Sequence, residues 1–464
     1  MNKSYQLKLS DIYNNCNKIL EEDKPSFIKL LEDNLDISEY IPASFYKNFY
    51  QRFGRTRKYS LESFVSALVI QLVFSIPTVK LLRQFLVYSK PLREFCGFDT
   101  LPDEGKFSTF KKVFVSDLKV LFEHLVEITE PICQKLSFEL SSALIFDTTG
   151  IEAYVTENNP KYLNKIIKQQ KTFAKNNPAF DPYKSAYANM PKHSSVSKDI
   201  KHLYINGHFC YVYKYGLLTN GLGIVRHISP LDADFKSEHL SPDDDKSVGD
   251  NTALIPVLSD FFSTHSSFNY NTFIGDSAFD SADTYKALLG DLHFSKAVIP
   301  LNVRNQKYSD PDFDEFGHPV CQSTNSPMRY EGVVNGKNRP TRDKWVCPKS
   351  FTDTKGNRHT SCHNPCTNSS CGRMFYTYPE KDLRMYPGIV RNTEKWDNLY
   401  KIRPVVEQTI NQFKEHMGIG NIKSRDQKTF NASMYMAGIT QLLTLIIADK
   451  LCLKKFRSLK KLIA

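Results

Sequence analysis

Two short apolar runs that each close on an aspartate constrain this chain more than any other feature. Residues 142–149 read Ser-Ala-Leu-Ile-Phe-Asp-Thr-Thr, and residues 272–276 read Thr-Phe-Ile-Gly-Asp. Both have the length of a buried strand, not of a helix. In a sheet covered by helices, ligands collect where strands end, so Asp147 and Asp276 are expected to meet at one sheet edge. Either acid alone reads equally well as a turn or helix-cap residue. Two further strands, His208-Phe-Cys-Tyr-Val-Tyr-Lys-Tyr215 and Gly223-Ile-Val-Arg-His-Ile228, flank Thr219-Asn220-Gly221, a hairpin signal. A helix is expected over about 281–289 and a strand over about 296–301. Together these predict the α/β class, a mixed sheet flanked by helices.

The chain is 464 residues long, more than one ordinary core accommodates, so several structural units are expected. With 41% hydrophobic residues it is not a disordered chain. The start, Met1-Asn2-Lys3-Ser4-Tyr5-Gln6, leads into polar, acidic sequence without the apolar centre of a signal peptide. The most apolar stretch, residues 435–448, includes Thr440, Gln441 and Thr444 and is too short to span a bilayer, so it is expected to be a buried helix. A cytoplasmic protein follows as the expectation.

Lys and Arg (61) outnumber Asp and Glu (50), an excess that suits a polyanionic partner without requiring one. A basic turn holds Lys47, Arg52, Arg55, Arg57 and Lys58. Residues 61–122 follow a helical period, with Phe64, Leu68 and Leu72 on one face and Lys80, Arg83, Lys106, Lys111 and Lys112 assigned to polar faces. This pattern fits a helix-turn-helix on DNA and equally a packing domain with a solvated basic face. Residues 157–201 are rich in Lys, Asn and Pro and lack sustained periodicity, which reads as a long basic loop. Lys450, Lys454, Lys455, Arg457, Lys460 and Lys461 form a basic tail, suited to phosphate contact or to solubility.

A third acid comes from residues 400–418, where Pro404 suits a first helical turn and Gly418 a stop. At about 100° per residue, Glu407 and Lys414 lie roughly 20° apart on one face. Arg403 and Tyr400 share that face if the helix begins earlier, with a kink at Pro404. The plain alternative is a surface helix with an ordinary Arg403 to Glu407 pair.

Asp147, Asp276 and Glu407, with Tyr-x2-Arg-x3-Glu-x6-Lys at Tyr400, Arg403, Glu407 and Lys414, resemble a DDE transposase of the bacterial insertion-sequence type that carries the Tyr-Arg-Glu-Lys signature. Phe273-Ile-Gly-Asp-Ser-Ala-Phe-Asp280 and Tyr204-Ile-Asn-Gly-His-Phe-Cys210 add to the likeness, which extends over most of the chain. The resemblance implies a helical N-terminal DNA-binding region over residues 1–135. It implies a ribonuclease H-like transposase domain over 136–464, interrupted by the basic loop at 156–202 and a Cys-rich insertion at about 303–390. It further implies double-stranded DNA as partner (inverted-repeat ends and target), a homodimer assembled on that DNA, and a nucleoid-associated bacterial setting.

The chemistry fits the residues on its own terms. Phosphodiester cleavage without a covalent intermediate needs an activated water and a neutralised leaving oxygen, which two Mg²⁺ (or Mn²⁺) ions about 4 Å apart supply through hard oxygen ligands. Asp147 is expected to bridge the ions, with Asp276 and Glu407 completing their shells. Three gathered carboxylates without metal repel, and one takes up a proton. The resemblance makes Arg403 and Lys414 phosphate contacts and Tyr400 a DNA contact beside the scissile end. Two rivals share these residues: a nuclease or resolvase without strand transfer, and a non-catalytic DNA-binding derivative.

Five of the ten cysteines lie between positions 321 and 371. Cys347, Cys362, Cys366 and Cys371 can bind one structural Zn²⁺ tetrahedrally, with Cys321, His359 and His363 as alternative ligands and free thiols as the metal-less alternative. His208, His227 and His239 show no metal spacing and read as structural. The Asp243-Asp-Asp245 run rivals Asp276 as an acid near a metal, and Trp345 and Trp396 read as packing residues or base-stacking platforms.

Overall fold

The computed structural model describes residues 25–454 and 456, apart from 52, 53, 176, 178, 206, 241–245, 303–311 and 338. The readings of the N-terminal segment, of Arg52, of Asp243-Asp-Asp245 and of Lys455, Arg457, Lys460 and Lys461 concern positions outside the described residues. The N-terminal part is helical: α1 (Ser26–Asn34), α2 (Ala43–Phe49), α3 (Leu61–Val73), α4 (Val79–Tyr88), α5 (Lys90–Phe95), α6 (Glu104–Val113), α7 (Val115–Leu136) and the short α8 (Phe138–Ser141). Side-chain caps set the starts where the sequence places hydroxyls: Ser60 accepts from Ser63 N at α3, and Thr78 from Leu81 N at α4. Lys111 departs from its expected place on a polar face. It is buried, donates to Gln71 Oε1 and Ser433 Oγ (both 3.3 Å), and burial pulls its pKa down to about 8.

The sheet has six strands: β1 (Ala143–Glu152), β2 (Lys201–Ile205), β3 (His208–Asn220), β4 (Val225–Pro230), β5 (Thr272–Ile274) and β6 (Lys296–Val298). The path β2-β3-β1-β5-β6 carries β4 on β3. The pairs β1 to β5 and β5 to β6 are parallel, and β3 is antiparallel to β1, β2 and β4. The β3 to β4 connection is wider than the Asn-Gly signal predicts: Asn220 Oδ1 accepts from Leu222 N and Ile224 N (both 3.1 Å), and Gly223 takes the left-handed turn.

The stretch expected as a basic loop is largely ordered structure. It contains α9 (Pro160–Ala174) and α10 (Pro182–Ala188) before β2. Each helix opens on a cap followed by proline: Asn159 accepts from Lys161 N, and Asp181 accepts from Tyr183 N and Lys184 N. Next come α11 (Ala233–His239), α12 (Asp250–Thr264) and α13 (Ala282–Tyr285), the last running on into a wide π turn over Lys286–Asp291. The Cys-rich segment builds its own sheets, β7 (Arg329–Gly336) and β8 (Arg339–Val346) with β11 (Met374–Thr377), and β9 (Ser350–Thr352) with β10 (Arg358–Thr360). Trp345 fills this insertion's core and donates from Nε1 to Thr377 Oγ1 at 2.9 Å. The chain then returns to the main sheet. Ala297 N donates to Pro387 O (2.9 Å), and Arg391 donates to Ile299 O (3.1 Å) and Tyr285 Oη (2.9 Å). The last elements are α14 (Glu394–Tyr400), α15 (Pro404–Asn411) and α16 (Gln427–Lys450).

Helix α16 is the buried element anticipated around 435–448. Among the described residues it is the one helix long and apolar enough to cross a membrane, and 94% of its apolar window is buried inside the protein. It packs on α3, α6, α7 and β4. Gly438 permits the contact with α7, since a Cβ there would lie 2.5 Å from Phe122 Cε2. The polar residues that interrupt the run are satisfied: Gln441 accepts from Val225 N (2.8 Å) and donates to Gly223 O (3.0 Å), and Thr440 and Thr444 donate back along the helix. One continuous apolar core therefore contains N-terminal helices, β3, β4 and α16. The boundary expected after residue 135 falls at the last turn of α7, and this core extends to both sides of it.

A buried ion pair ties α7 to β4. Arg226, fully buried, donates to Glu130 Oε2 (3.2 Å), Thr129 Oγ1 (3.1 Å) and Val126 O (3.2 Å), while Tyr270 Oη also reaches Glu130 Oε2 at 3.2 Å. Removing the carboxylate strands a buried guanidinium. Glu130→Ala is expected to lose about 3–5 kcal/mol of stability, read by urea unfolding of the full chain. A loss under about 1 kcal/mol would show that the pair carries little.

Candidate active site

The paired strands place the two aspartates side by side. Ile145 on β1 is in register with Ile274 on β5, so Asp147 and Asp276 each lie two residues further on. The sequence expectation is corrected in one respect: β1 does not end on Asp147 but continues to Glu152, still paired with β3. It is β5 that stops, at Ile274, and its absence beyond that point opens the edge where both acids sit.

Glu407 comes from the opposite direction, in the first turn of α15. The helix does not run back to Tyr400. Tyr400 ends α14, a turn follows, and Arg403 occupies the position before Pro404. That turn aims the guanidinium at all three acids. Arg403 Nη2 lies 3.0 Å from Asp276 Oδ2 and 3.7 Å from Asp147 Oδ2, and Nη1 lies 2.5 Å from Glu407 Oε1. Val406 packs beneath, against Ile145, Ile274 and Val298, and fixes the height of α15 above the sheet.

Asp147 is 23% exposed, the most enclosed of the trio. Burial pushes its pKa up to about 6 against the pull of Arg403 and of the Thr148 N–H, which donates to Oδ1 at 2.8 Å, and the charges of Glu407 and Asp250 push in the same direction as burial. A second network stands beside it. Thr148 Oγ1 donates to Asp250 Oδ1 (2.6 Å), and Lys214 Nζ pairs with the same oxygen (2.7 Å) and donates to Val248 O (2.6 Å). Burial opposes the Asp250 carboxylate, but Lys214 outweighs it and holds the pKa below the usual range. Sequence reasoning missed Thr148, Lys214 and Asp250. The available signal was Lys214, a lone cation within a strand of aromatics.

Past α15 the backbone widens into a π turn, Gln412–His416, and Gly418 ends the segment with φ 73°. Lys414 lies in that turn, half-buried, with its pKa lowered by burial. Asp147, Glu407, Asp250, Lys214, Lys414 and Tyr204 line one open cleft of about 630 Å³. Tyr400 is half-buried and stacks on Trp396, with ring centroids 4.8 Å apart and planes 20° apart. Burial, followed by the charges of Asp276 and Glu407, raises its pKa despite Arg403. Asp280, the last residue of the motif around Asp276, is buried under Arg384 (2.7 and 3.0 Å) and Tyr285 (3.1 Å), and so anchors the insertion.

The chain matches the family model described as Transposase DDE domain over residues 142–443, and one described as Transposase domain (DUF772) over residues 15–113. The first match alone spans more than half of the sequence. The chain belongs to the DDE transposase family. No curated protein matches it.

In this transposase the cysteines of the insertion occupy separate places. Cys321 and Cys366 share a side-chain hydrogen bond. Burial works against the Cys321 thiolate, yet the Ser323 and Thr324 N–H groups and Cys366 act to hold its pKa below the ordinary value. Cys347 packs against Gly372, where a Cβ would come within 2.8 Å of its own, and Cys371 is next in the chain. Cys362 Sγ lies 3.3 Å from Asn364 O. Among the described residues, Glu152, His208 and Cys210 form the one group of three such ligand atoms within 4.8 Å of one another. Neither the insertion cysteines nor the three acids draw that close. Of the other histidines, His227 is buried with its pKa lowered to about 3 by burial, and His239 pairs with Asp260 at 3.0 Å.

The raised pKa of Asp147 has a signed consequence. Between about pH 4, the ordinary carboxylate range, and about pH 6 the native state holds a proton that the unfolded chain has lost. Stability from this group is full at the acid end and lost as pH rises through 6. In EDTA, Asp147→Asn is therefore expected to gain on the parent across that window, by up to about 3 kcal/mol, and the gap should then level off. Urea unfolding over pH 4–8 measures it, and parallel curves would refute the shift.

Proposed function

We propose that this chain is a DNA transposase that cleaves at the ends of an insertion sequence and joins the freed 3′-OH to target DNA. The observation that carries the reading is the convergence of Asp147, Asp276 and Glu407, from β1, the end of β5 and α15, on the single guanidinium of Arg403. The order β4-β3-β1-β5-β6, with β3 alone antiparallel to its neighbours, supports a ribonuclease H-like domain. The spacing of Tyr400, Arg403, Glu407 and Lys414 supports the Tyr-Arg-Glu-Lys branch.

The donor set suits hard divalent cations: three carboxylates at a cleft edge, one of them so enclosed that its charged form needs a nearby cation. Asp147, Asp276 and Glu407 would hold two Mg²⁺ (or Mn²⁺) ions, which when bound supply an activated water and neutralise the leaving oxygen. The Thr148 N–H orients Asp147, and the Lys214 to Asp250 pair keeps Thr148 in place. Arg403 and Lys414 contact phosphate, and Tyr400, braced by Trp396, contacts DNA beside the scissile end. Joining two DNA ends in one reaction calls for a homodimer assembled on inverted repeats, working at the bacterial nucleoid.

Asp147→Ala, Asp276→Ala and Glu407→Ala are each expected to lower Mg²⁺-dependent cleavage of the element's terminal DNA by roughly 10³-fold or more. Strand transfer of a pre-cut 3′-OH end should be lost in parallel. Variants that cut like the parent would overturn the assignment, and cleavage without joining would make the protein a nuclease.

We also propose one structural Zn²⁺ in the insertion, on Cys347, Cys362, Cys366 and Cys371 with Cys321 as the alternative fourth ligand, whose binding would have to draw together thiols that lie apart in this structure. The Cys321 to Cys366 contact and the N–H groups directed at Cys321 support a ligand role for that alternative. Metal analysis of purified protein is expected to give one zinc per chain, lost with Cys366→Ser. Absence of zinc in protein purified without chelator would refute this.

A further inference from the structure

We propose that the helical hairpin α9–α10 is a DNA arm that holds the phosphate backbone of the duplex entering the acidic cleft. The proposal rests on the reading of that cleft as the place where DNA is cut. Residues 160–201 hold nine lysines and two acids, Asp181 and Asp199. Both acids are engaged by backbone. Asp181 Oδ1 caps α10 (2.9 and 3.1 Å), and Asp199 Oδ1 accepts from Ala233 N (2.9 Å). The lysines are left as net positive charge.

Their placement on α9 is one-sided. At about 100° per residue, Lys161, Lys165, Lys168, Lys171 and Lys175 fall within an arc of roughly 120°, while Tyr162, Leu163, Ile166, Ile167 and Phe173 fall opposite. The stripe is about 20 Å long, the rise of about six nucleotides along one strand. All five lysines are exposed, and Lys161, Lys165 and Lys168 have no ion-pair partner among the described residues. The helix packs against α10 and the turn before it: Phe173 meets Phe180 edge-on at 5.0 Å, Ser185 Oγ donates to Gln170 at 3.0 Å, and Lys171 Nζ, at the edge of the stripe, sits 4.7 Å from the Tyr183 ring centre.

A line of aromatic contacts joins this arm to the cleft. Tyr187 of α10 lies against Phe209 (6.0 Å), and Phe209 against Tyr204 (5.0 Å), which lines the cleft with Asp147 and Glu407. Tyr183, Tyr204 and Phe209 are each more than half exposed. Lysines beside accessible rings suit a polyanion whose bases also offer stacking faces. The stripe thus adds phosphate contacts outside the cleft to those of Arg403 and Lys414 at the acids.

The test is the salt dependence of DNA binding by the full chain, with Lys161→Gln, Lys165→Gln and Lys168→Gln combined. The slope of log affinity against log salt should become shallower by roughly one per lysine. Exposed lysines are not needed for folding, so thermal unfolding should match the parent. A slope unchanged in a triple variant that still cuts DNA overturns the arm and leaves the catalytic reading intact. Loss of self-association with an unchanged slope also overturns it, in favour of a second copy docking on α9. A parent chain without salt-dependent DNA binding overturns both.

Discussion

Three ionised carboxylates at one cleft edge repel one another unless a cation stands among them, and the guanidinium of Arg403 supplies it. One side chain reaches Asp147, Asp276 and Glu407, which belong to three segments far apart in sequence. The planar fork of arginine suits this better than the point charge of lysine, because its separate N–H groups face separate oxygens at once. The same contacts mark the site as one where hard oxygen ligands converge from several directions. The positive charge on Arg403 also holds the site together against the burial that raises the pKa of the acid on β1.

The convergence is produced by strand length more than by strand end. β1 is ten residues long and remains in the sheet through its pairing with β3, while β5 contributes only three residues. Where β5 stops, one side of β1 is unpaired, and Asp147 faces that gap beside Asp276. The insertion between Asp276 and Glu407 leaves this geometry intact because it is tied down at both ends. Asp280 binds Arg384 near its start and end, and Arg391 is locked to Ile299 and Tyr285 before α14 begins. A long excursion costs little in loop entropy when its ends are held this near each other.

The strands that carry the two aspartates and the helix that carries Glu407 were legible in the sequence because hydrophobic period and turn residues act locally. Asp147, Asp276, Glu407 and Lys414 are placed by patterns a few residues long, and α16 by its apolar run. What escaped depends on distant partners. Nothing near Lys111 announces that Gln71 and Ser433 will close over it, and nothing near Thr148 points to Asp250 or Lys214. The basic segment misled for a different reason. Lysine and asparagine hide a helical period from a hydrophobicity reading, although Asn159-Pro160 and Asp181-Pro182 are ordinary helix starts. The hairpin turn misled because Asn220 used its side chain to organise a wider loop than Asn-Gly usually makes.

The position of Glu407 depends in the end on the N-terminal helices. Thr409, two residues on, donates to Gly223 O at 2.9 Å, and Gln441 of α16 donates to that same carbonyl and to Gln412 at 3.2 Å. The β3 to β4 turn, α15 and α16 are thereby locked into one polar cluster inside an apolar core. At the far end of the π turn, Ser75, just past α3, donates to His416 O at 2.5 Å, and Gly418 packs against the Ser75 backbone. α16 in turn is held by α3, α6 and α7. The helical region is therefore more than an appended module. It forms the wall on which the helix carrying the third acid is registered, and loosening that wall would move Glu407 relative to two aspartates fixed by the sheet.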